Sequence, residues 1–178
     1  NAGAILSGGK VHILYRAMGD DDTSVFGYAR SFDGLNIEER LDKPIYIPRE
    51  QFETKTHPGF SGCEDPRLTL IDKTIYMCYT AYDGINPPRI ALTTISENDF
   101  LNHRWHWSRP KLISAPGMDN KDSCIVAEKF NNKLISILAS KNINLQKIYF
   151  CEHHPEINGP CDCRKPSTGL ILKATDEF

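Results

Sequence analysis

Gly62-Cys63-Glu64-Asp65-Pro66-Arg67-Leu68-Thr69-Leu70-Ile71 joins a charged motif directly to an apolar run that is typical of a β-strand. The motif sets two carboxylates, Glu64 and Asp65, beside the guanidinium of Arg67. Pro66 fixes its own φ and is expected to hold Asp65 in an extended conformation. A charged turn that leads into a strand explains this pattern, and so does a small polar site at the rim of a strand. The rest of the chain has to separate the two interpretations.

Short β-strands are predicted on both sides of this motif. Residues 11–16 and 24–30 form a predicted hairpin, and residues 68–71 pair with residues 74–81 across the turn Asp72-Lys73. Further strands are predicted at residues 44–47, 89–95, 124–127, 134–138, 147–150 and 170–172. Residues 35–61 are expected to form a long loop that holds the strand at 44–47. No long amphipathic helical pattern is present.

Three of these strands open with a lysine in a turn, and the three lysines are regularly spaced. Lys73 follows Lys10 after 63 positions, and Lys133 follows Lys73 after 60 positions. A second strand comes after each of them. Repeats of four short strands predict the blades of a β-propeller, which typically has about 4–8 blades. The sequence therefore predicts an all-β propeller domain over residues 1–178, of which this chain covers only about three blades. Residues 141–178 form a divergent C-terminal segment.

The composition excludes several classes of protein. Of 178 residues, 40% are apolar and 25% are charged, which is typical of one soluble globular domain. The net charge of −2 gives no broad attraction to nucleic acid or to a membrane, and neither is expected as a partner. No apolar stretch reaches the length of a transmembrane helix. The chain begins Asn1-Ala2-Gly3 without Met, so its start is trimmed or it is a piece of a larger protein.

The six cysteines form no regular disulfide framework, which predicts a reducing, cytoplasmic setting. Cys63, Cys78 and Cys124 are expected to be buried as small hydrophobic side chains. The other three stand near two histidines in a C-terminal group: Cys151, His153, His154, Cys161 and Cys163. Their spacing fits no standard zinc pairing, so no metal site is expected, and a zinc site there stays an alternative.

Seven motifs, in this order along the chain, resemble one family of carbohydrate-active enzymes. They are Asn1-Ala2-Gly3-Ala4, Leu14-Tyr15-Arg16-Ala17, Gly27-Tyr28-Ala29-Arg30-Ser31-Phe32-Asp33-Gly34, Gly62-Cys63-Glu64-Asp65-Pro66-Arg67, Tyr79-Thr80-Ala81-Tyr82-Asp83-Gly84, Arg89-Ile90-Ala91-Leu92 and Asn120-Lys121-Asp122. The chain resembles glycoside hydrolase family 130, the β-mannoside phosphorylases and their hydrolase relatives, from Asn1 to about Lys133. The resemblance implies a five-bladed propeller of roughly twice this length, with the site in its central channel.

The resemblance also implies a reaction. Inorganic phosphate, as co-substrate and without any other cofactor, attacks the anomeric carbon of a terminal β-linked mannose with inversion. The products are α-mannose 1-phosphate and a shortened oligosaccharide. Asp65 is implied as the acid that protonates the leaving oxygen, through a hydroxyl of the mannose. No general base is needed, because phosphate is already an anionic nucleophile.

The remaining site residues are carried over at matching motif positions. Four cations are expected around phosphate, since their donors suit its oxygens: Arg16, Arg30, Arg89 and Lys121. Seven residues are expected to bind the sugar: Asn1, Ser31, Asp33, Glu64, Tyr82, Asp83 and Asp122. The cations could also be ordinary strand-end charges. Asp33 and Asp83 each precede a glycine and could serve a turn alone, and Tyr82 could stack on a sugar or simply pack.

The chain departs from the family after the strand that Lys133 opens. Family members typically carry a His-Arg pair there that helps to hold phosphate, whereas this sequence reads Leu138-Ala139-Ser140. A β-mannoside hydrolase, or a truncated, inactive propeller that binds glycans, therefore stays open beside the phosphorylase. The run Trp105-His106-Trp107 is expected to pack a blade edge rather than to stack on sugar. An exposed terminal blade predicts a homo-oligomer.

Overall fold

The computed structural model describes residues 1–126, 137 and 139–141. The chain separates into two compact units, Asn1–Ala127 and Glu128–Phe178. The first unit carries all the strands described below. In the part of the chain that the structure describes, no helix has the length and apolar character needed to span a membrane.

Four antiparallel strands follow one another at the start of the chain. They are β1 (Ala2–Ser7), β2 (Lys10–Met18), β3 (Thr23–Ser31) and β4 (Ile37–Arg40). The turn at Gly8-Gly9 suits a tight reversal, since both glycines have positive φ. Side chains of β2 alternate, so that His12 and Leu14 are buried while Ile13 and Tyr15 face the other side.

A second set of antiparallel strands repeats this order. It comprises β5 (Ser61–Ile71), β6 (Thr74–Tyr82), β7 (Arg89–Ser96) and β8 (Lys111–Leu112), with the short helix α1 (Glu97–Leu101) between β7 and β8. Four-stranded meanders of this kind are the shape of propeller blades. We call β1–β4 the first blade and β5–β8 the second blade.

The two blades meet at the start of β3 and β5. Thr23 and Ser24 pair in parallel with Ser61 and Gly62, which is the one parallel contact among the described strands. The core lies between the blades and is rich in aromatic residues. Phe26 of the first blade meets Tyr79 of the second edge to face, with ring centroids 5.6 Å apart, and Tyr28 meets Phe100 of α1 at 6.0 Å. Edge-to-face pairs of this kind add to the energy of area burial.

Residues 41–60 connect the blades and contribute to the same core. Ile45 and Tyr46 are buried there, and a 3₁₀ turn at Gln51–Glu53 follows. The predicted strand at residues 44–47 is wrong, because Tyr46 forms only a single bridge to Phe26. Pro44 and Pro48 stand on either side of it and lack the N–H groups that a longer ladder needs.

Other expectations also need correction. β1, β4 and β8 were not predicted, and residues 124–126 are not a strand. Cys63 and Cys78 are buried as expected, but Cys124 is exposed. Residues 137, 139 and 140 are helical, so the strand predicted at 134–138 does not continue to its end. The third lysine turn, the predicted strands at 147–150 and 170–172, and the C-terminal cysteines and histidines lie outside the described residues.

Trp105 and Trp107, in the run Trp105-His106-Trp107, pack against the core, as expected. The Trp107 side chain is buried in the core, and Trp105 packs against the Tyr28 ring at 5.3 Å. His103 stacks on Trp105 with an interplanar angle of 15°. The rings therefore close the edge of the inter-blade core.

Candidate active site

A bulge in β5 presents Asp65. The pairs that flank the bulge are Glu64 with Thr80 and Arg67 with Cys78. Asp65 and Pro66 therefore share the single position opposite Tyr79, which is a β-bulge. Asp65 has φ 51 rather than the extended conformation expected from Pro66. The geometry of the bulge overrides the local preference, in a region that Asp tolerates better than most residues.

The first strand of the chain borders this bulge. The side-chain amide of Asn1 donates to Asp65 Oδ2 over 3.0 Å, and the Asp65 side chain is 17% exposed. A Cβ placed on Gly3 would overlap the carbonyl oxygen of Pro66. The absence of a side chain at Gly3 therefore lets β1 lie directly against the bulge and brings Asn1 to Asp65.

Glu64 faces a different partner. Its Oε1 lies 2.9 Å from Arg16 Nη2, and the Glu64 side chain is 14% exposed. Arg16 Nε donates to the hydroxyl of Ser24 over 2.8 Å, and Ser24 is completely buried. One guanidinium therefore ties together β2, β3 and β5 immediately before Asp65, and charge-assisted bonds of this kind are the stronger hydrogen bonds in proteins.

Arg67 closes the other side of the motif. Its Nη2 lies 3.4 Å from Asp122 Oδ1, and its Nη1 donates to the carbonyl of Pro66 over 3.0 Å. Asp122 is well exposed, as is its neighbour Lys121. The charged neighbours of Asp65 in the chain, Glu64 and Arg67, are therefore each paired with a side chain of opposite charge.

Two predicted site residues, Asp83 and Arg89, line a pocket of about 170 Å³ near the end of β6. Tyr82, the residue before Asp83, stands opposite Gly62 in the ladder and is not part of the pocket lining. Arg89 Nη2 donates to the carbonyl of Ser114. The lining of this pocket combines charged groups with Phe52, Pro87 and Leu112, a mixture that suits a small polar ligand.

Comparison with known families decides the identity of the chain. The model of glycoside hydrolase family 130, described as beta-1,4-mannooligosaccharide phosphorylase, matches residues 1–155. The chain belongs to this family. The family 130 resemblance predicted from Asn1 to about Lys133 is thereby confirmed, and the match extends beyond Lys133.

Known relatives agree with this membership. The chain is 32% identical over 151 residues to "Beta-1,2-mannobiose phosphorylase" from Thermoanaerobacter sp. (strain X514), a match that covers 76% of this chain and 45% of that protein. This family 130 chain spans about half the length of the curated relatives it matches. A stretch of 44 residues is also 46% identical to D-glycero-beta-D-manno-heptose-1,7-bisphosphate 7-phosphatase from Escherichia coli (strain K12), over 22% of this chain and 23% of that protein. That stretch is too small a part of either protein to show a family.

A solved structure supports the fold. The β-1,2-mannobiose phosphorylase from Listeria innocua, in complex with β-1,2-mannobiose, superposes with a TM-score of 0.50 at 19% identity, over 73% of this chain and 47% of that one. The predicted all-β, propeller-type fold is confirmed. Two blades lie within the described residues, and the prediction of about three stays a prediction.

Three site residues predicted from the family 130 motifs lie elsewhere. β3 carries Ser24 beside Gly62 at one end and Ser31 at the other, and seven residues of strand span roughly 23 Å. Arg30 is bound there by two carboxylates of β4, Glu38 at 3.0 Å and Glu39 at 3.1 Å. The structure therefore does not bring Arg30, Ser31 or Asp33 to Asp65.

Asp33 and Asp83 form the same kind of turn. Asp33 Oδ1 accepts the backbone N–H of Leu35 and Asn36, and Asp83 Oδ1 accepts those of Ile85 and Asn86. The N–H groups of Asn36 and Leu35 hold the pKa of Asp33 well below its usual range. Burial alone would raise the pKa of Asp83, but the side chain of Asn86 and the turn N–H groups lower it. The turn role that each Asp-Gly pair suggests is therefore filled at both sites.

Sequence reasoning missed the residue that lies beneath the bulge. Glu53 is completely buried and contacts Cys63 and Tyr79. In the sequence, Gln51-Phe52-Glu53-Thr54 reads as part of a polar loop, and no motif singles out Glu53. Its partners lie 10 and 26 residues further along the chain, so only the folded structure reveals the group.

Proposed function

We propose that the protein is an inverting phosphorylase that cleaves terminal β-linked mannose with inorganic phosphate and releases α-mannose 1-phosphate. Membership of family 130 supports the class of reaction. The observation that carries the proposal for this chain is the bulge at Asp65. It lifts a carboxyl group out of the β5 ladder next to Asn1, between Glu64, which pairs with Arg16, and Arg67, which pairs with Asp122.

The proposed reaction is a single displacement. A phosphate oxygen forms a bond to the anomeric carbon while the bond from that carbon to the glycosidic oxygen breaks, with inversion. The leaving oxygen receives a proton that originates on the Asp65 carboxyl group. The amide of Asn1, bonded to Asp65 Oδ2, fixes the orientation of the carboxyl group. The water space that an inverting hydrolase needs between two carboxylates is not required when phosphate is the nucleophile.

The proposed phosphate site uses cations that now hold carboxylates. Arg16 pairs with Glu64, and Arg67 pairs with Asp122. An incoming phosphate would take the place of the carboxylate, because two of its oxygens can accept from the planar fork of the guanidinium and its negative charge still balances the cation. Lys121 and Arg89 complete the proposed set, and Tyr82, Asp83 and Asp122 remain proposed sugar ligands.

The position of the glycosidic linkage that the protein cleaves is also part of the proposal. The family model is described for β-1,4-mannooligosaccharides, whereas the Thermoanaerobacter and Listeria proteins are named for β-1,2-mannobiose. We propose β-1,4-linked mannosides as the substrate and include the β-1,2 disaccharide in the test. The buried free thiols of Cys63 and Cys78 suit the reducing setting of the cytoplasm, which we propose as the location.

The test is a phosphate-dependence assay. The protein is mixed with β-1,4-mannobiose, β-1,2-mannobiose and mannosyl-glucose, with and without inorganic phosphate, and α-mannose 1-phosphate is measured. Asp65→Asn is expected to reduce turnover by about 10²-fold or more, since the acid contributes 10²–10⁴-fold to such reactions. Asp20→Asn, at an exposed turn, is the matched control and should keep full activity.

The other outcomes separate the alternatives. If free mannose forms without phosphate, the protein is a β-mannoside hydrolase and not a phosphorylase. The absence of the His-Arg pair after Lys133 agrees with that outcome. A folded protein that binds mannosides but turns over none of them would indicate a glycan-binding propeller. Equal rates for wild type and Asp65→Asn would remove Asp65 as the acid.

A further inference from the structure

We propose that Glu53 is a positioning residue for the bulge that carries Asp65. This inference rests on the proposed role of Asp65 as the acid. Glu53 comes from the 3₁₀ turn that precedes β5, and no part of its side chain is exposed. A buried carboxylate is costly unless donors surround it, so a fully enclosed one is expected to have a definite task.

One oxygen of Glu53 holds both strands of the bulge. Glu53 Oε2 accepts the hydroxyl of Tyr79 over 2.6 Å and the thiol of Cys63 over 3.5 Å. Tyr79 is the residue of β6 that stands opposite Asp65 and Pro66, and Cys63 lies two positions before Asp65 in β5. Glu53 Oε2 therefore contacts both β5, the strand that contains the bulge, and Tyr79, the residue of β6 opposite the bulge.

The second oxygen fixes Glu53 itself. Oε1 accepts the backbone N–H groups of Arg49 at 2.8 Å and Glu50 at 3.2 Å. The hydroxyl of Tyr46 reaches it at 3.4 Å and also meets the Tyr79 hydroxyl at 2.8 Å. With both oxygens supplied by donors, the carboxylate has little freedom to turn, and the position of Tyr79 follows from that of Glu53.

Burial keeps the two donors protonated. It raises the pKa of the Cys63 thiol well above its ordinary value, and the negative charge of Glu53 adds to this. Burial also raises the pKa of Tyr79, with the neighbouring Cys63 as the next cause. Both groups are therefore held in the protonated form in which they donate to Glu53. Cys63 is thereby a hydrogen-bond donor rather than a nucleophile.

The experiment compares variants that remove single contacts in the full chain. Tyr79→Phe deletes the hydroxyl but keeps the ring, and Glu53→Gln keeps the shape but weakens the acceptor. Tyr28→Phe is the matched control, because it removes a buried tyrosine hydroxyl that bonds to His12 rather than to Glu53 or Tyr79. Hydrogen exchange is followed by mass spectrometry over β5 and over the β2–β3 hairpin, and kcat and KM are measured with mannobiose and phosphate.

The expected result has a local and a kinetic part. In Tyr79→Phe and Glu53→Gln, amide exchange rises within residues 63–67 while the β2–β3 hairpin keeps its wild-type protection. We expect kcat to fall by about 10–100-fold with KM changed by less than about threefold, as is typical when the support of a reacting group is lost. Tyr28→Phe should leave both the exchange at residues 63–67 and kcat close to their wild-type values.

Three results would overturn the inference. The first is unchanged amide exchange at residues 63–67 in both variants. The second is a rise in exchange of equal size in the β2–β3 hairpin, which would mark a general loss of stability. The third is an active wild-type protein whose two variants keep the wild-type kcat. If the wild-type protein itself turns over no mannoside, the proposed function fails. The exchange measurement then still decides whether Glu53 holds the bulge.

Discussion

At Gly62 the backbone of β5 lies against the backbone of β3 with no room for a side chain. A Cβ at this position would overlap the carbonyl oxygen of Ser24 and lie 2.7 Å from its nitrogen, and the φ of Gly62 is +112. Steric room and backbone conformation therefore demand glycine together. This contact is the parallel pairing that joins the two blades, so a single hydrogen in place of a side chain sets how closely they meet.

We predict that Gly62→Ala destabilises the protein by about 3 kcal/mol or more, because strain and overpacking add. Gly59→Ala is the control, since Gly59 also has a positive φ, +124, but nothing lies within 4 Å of its Cβ position. It should cost only about 1 kcal/mol of backbone strain. Urea unfolding of both variants measures the difference, and equal losses would show that the space beside Ser24 does not matter.

The burial of His12 allows us to predict how the stability of the protein depends on pH. Its ring is buried in the core, where Nδ1 meets the Tyr28 hydroxyl at 2.7 Å and Nε2 meets the carbonyl of Ser7 at 3.1 Å. Because a carbonyl only accepts, Nε2 carries the proton and Nδ1 accepts from Tyr28. Burial is the largest cause that lowers the pKa of His12 from 6.5, whereas the bond to Ser7 raises it.

The sign follows from the lowered pKa. Between the pKa of folded His12 and 6.5, the unfolded chain binds more protons than the folded one, so the free energy of unfolding rises with pH. His12 therefore contributes fully above about 6.5 and loses its contribution as the pH falls below that value. In urea unfolding between pH 7.5 and 5.0, His12→Gln should show a smaller drop than wild type. Exposed His57→Gln should keep the wild-type drop; a wild-type drop in His12→Gln would refute the assignment.

The third strand of each blade ends in the same way. β3 ends at Ser31, whose hydroxyl accepts the N–H of Gly34 over 2.8 Å, and β7 ends at Ser96, whose hydroxyl accepts the N–H of Asp99 over 3.0 Å. Each hydroxyl thus binds the N–H three residues later and starts the connection to the fourth strand. Serine suits this task because its short side chain reaches the backbone. The shared geometry gives Ser31 a structural role without any sugar.

We therefore predict that Ser31→Ala and Ser96→Ala each lower stability by about 1 kcal/mol, the usual cost of a lost cap. Neither should change the KM for mannobiose or for phosphate by more than about twofold, since Ser31 lies at the far end of β3 from Asp65. Thermal unfolding and steady-state kinetics check the two parts. A large rise in KM for Ser31→Ala alone would restore Ser31 to the sugar site.

Strands that carry their own signal could be predicted from the sequence. β2, β3, β6 and β7 alternate or are rich in β-formers and are bounded by turns. β1 and β4 lack such a pattern, and they are strands because β2 and β3 offer them free edges to pair with. Both pair with the strand next to them in the chain, so the edge that they complete, rather than their own residue types, makes them strands.

Some residues of the candidate site could likewise be predicted from the sequence, and others could not. The motif around Asp65 could be found from residue types, but its bulge could not, because the local rule for residues before proline points the other way. Glu53 could not be found either, since its burial depends on Tyr79 and Cys63 closing over it. The residues that would carry the chemistry of the site can therefore be recognised from short motifs. The residues that hold Asp65 in place can be recognised only in the folded structure.

The whole molecule exposes apolar side chains around the outer strand of the first blade. Phe32 is 73% exposed, Leu35 is 87% exposed and Ile37 is 54% exposed. They cluster at the β3–β4 connection and the start of β4, the outer strand of that blade, which presents backbone groups that another chain can pair with. Exposed apolar groups beside an edge that pairs with no other strand in the described part of the chain favour association between copies, as does the exposed terminal blade from which the homo-oligomer is predicted.

We predict that sedimentation velocity shows association that grows with protein concentration and that Leu35→Lys weakens it. Burying a leucine contributes about 1.5–3 kcal/mol, so the dissociation constant should rise by about tenfold or more. Ile85→Lys is the control, because Ile85 is 59% exposed but follows β6, whose last residue pairs with Gly62 at the opposite end of the blades. A wild-type protein that sediments as a monomer at every concentration would contradict the homo-oligomer. An equal effect of the two lysine variants would mean that the contact does not lie at β4.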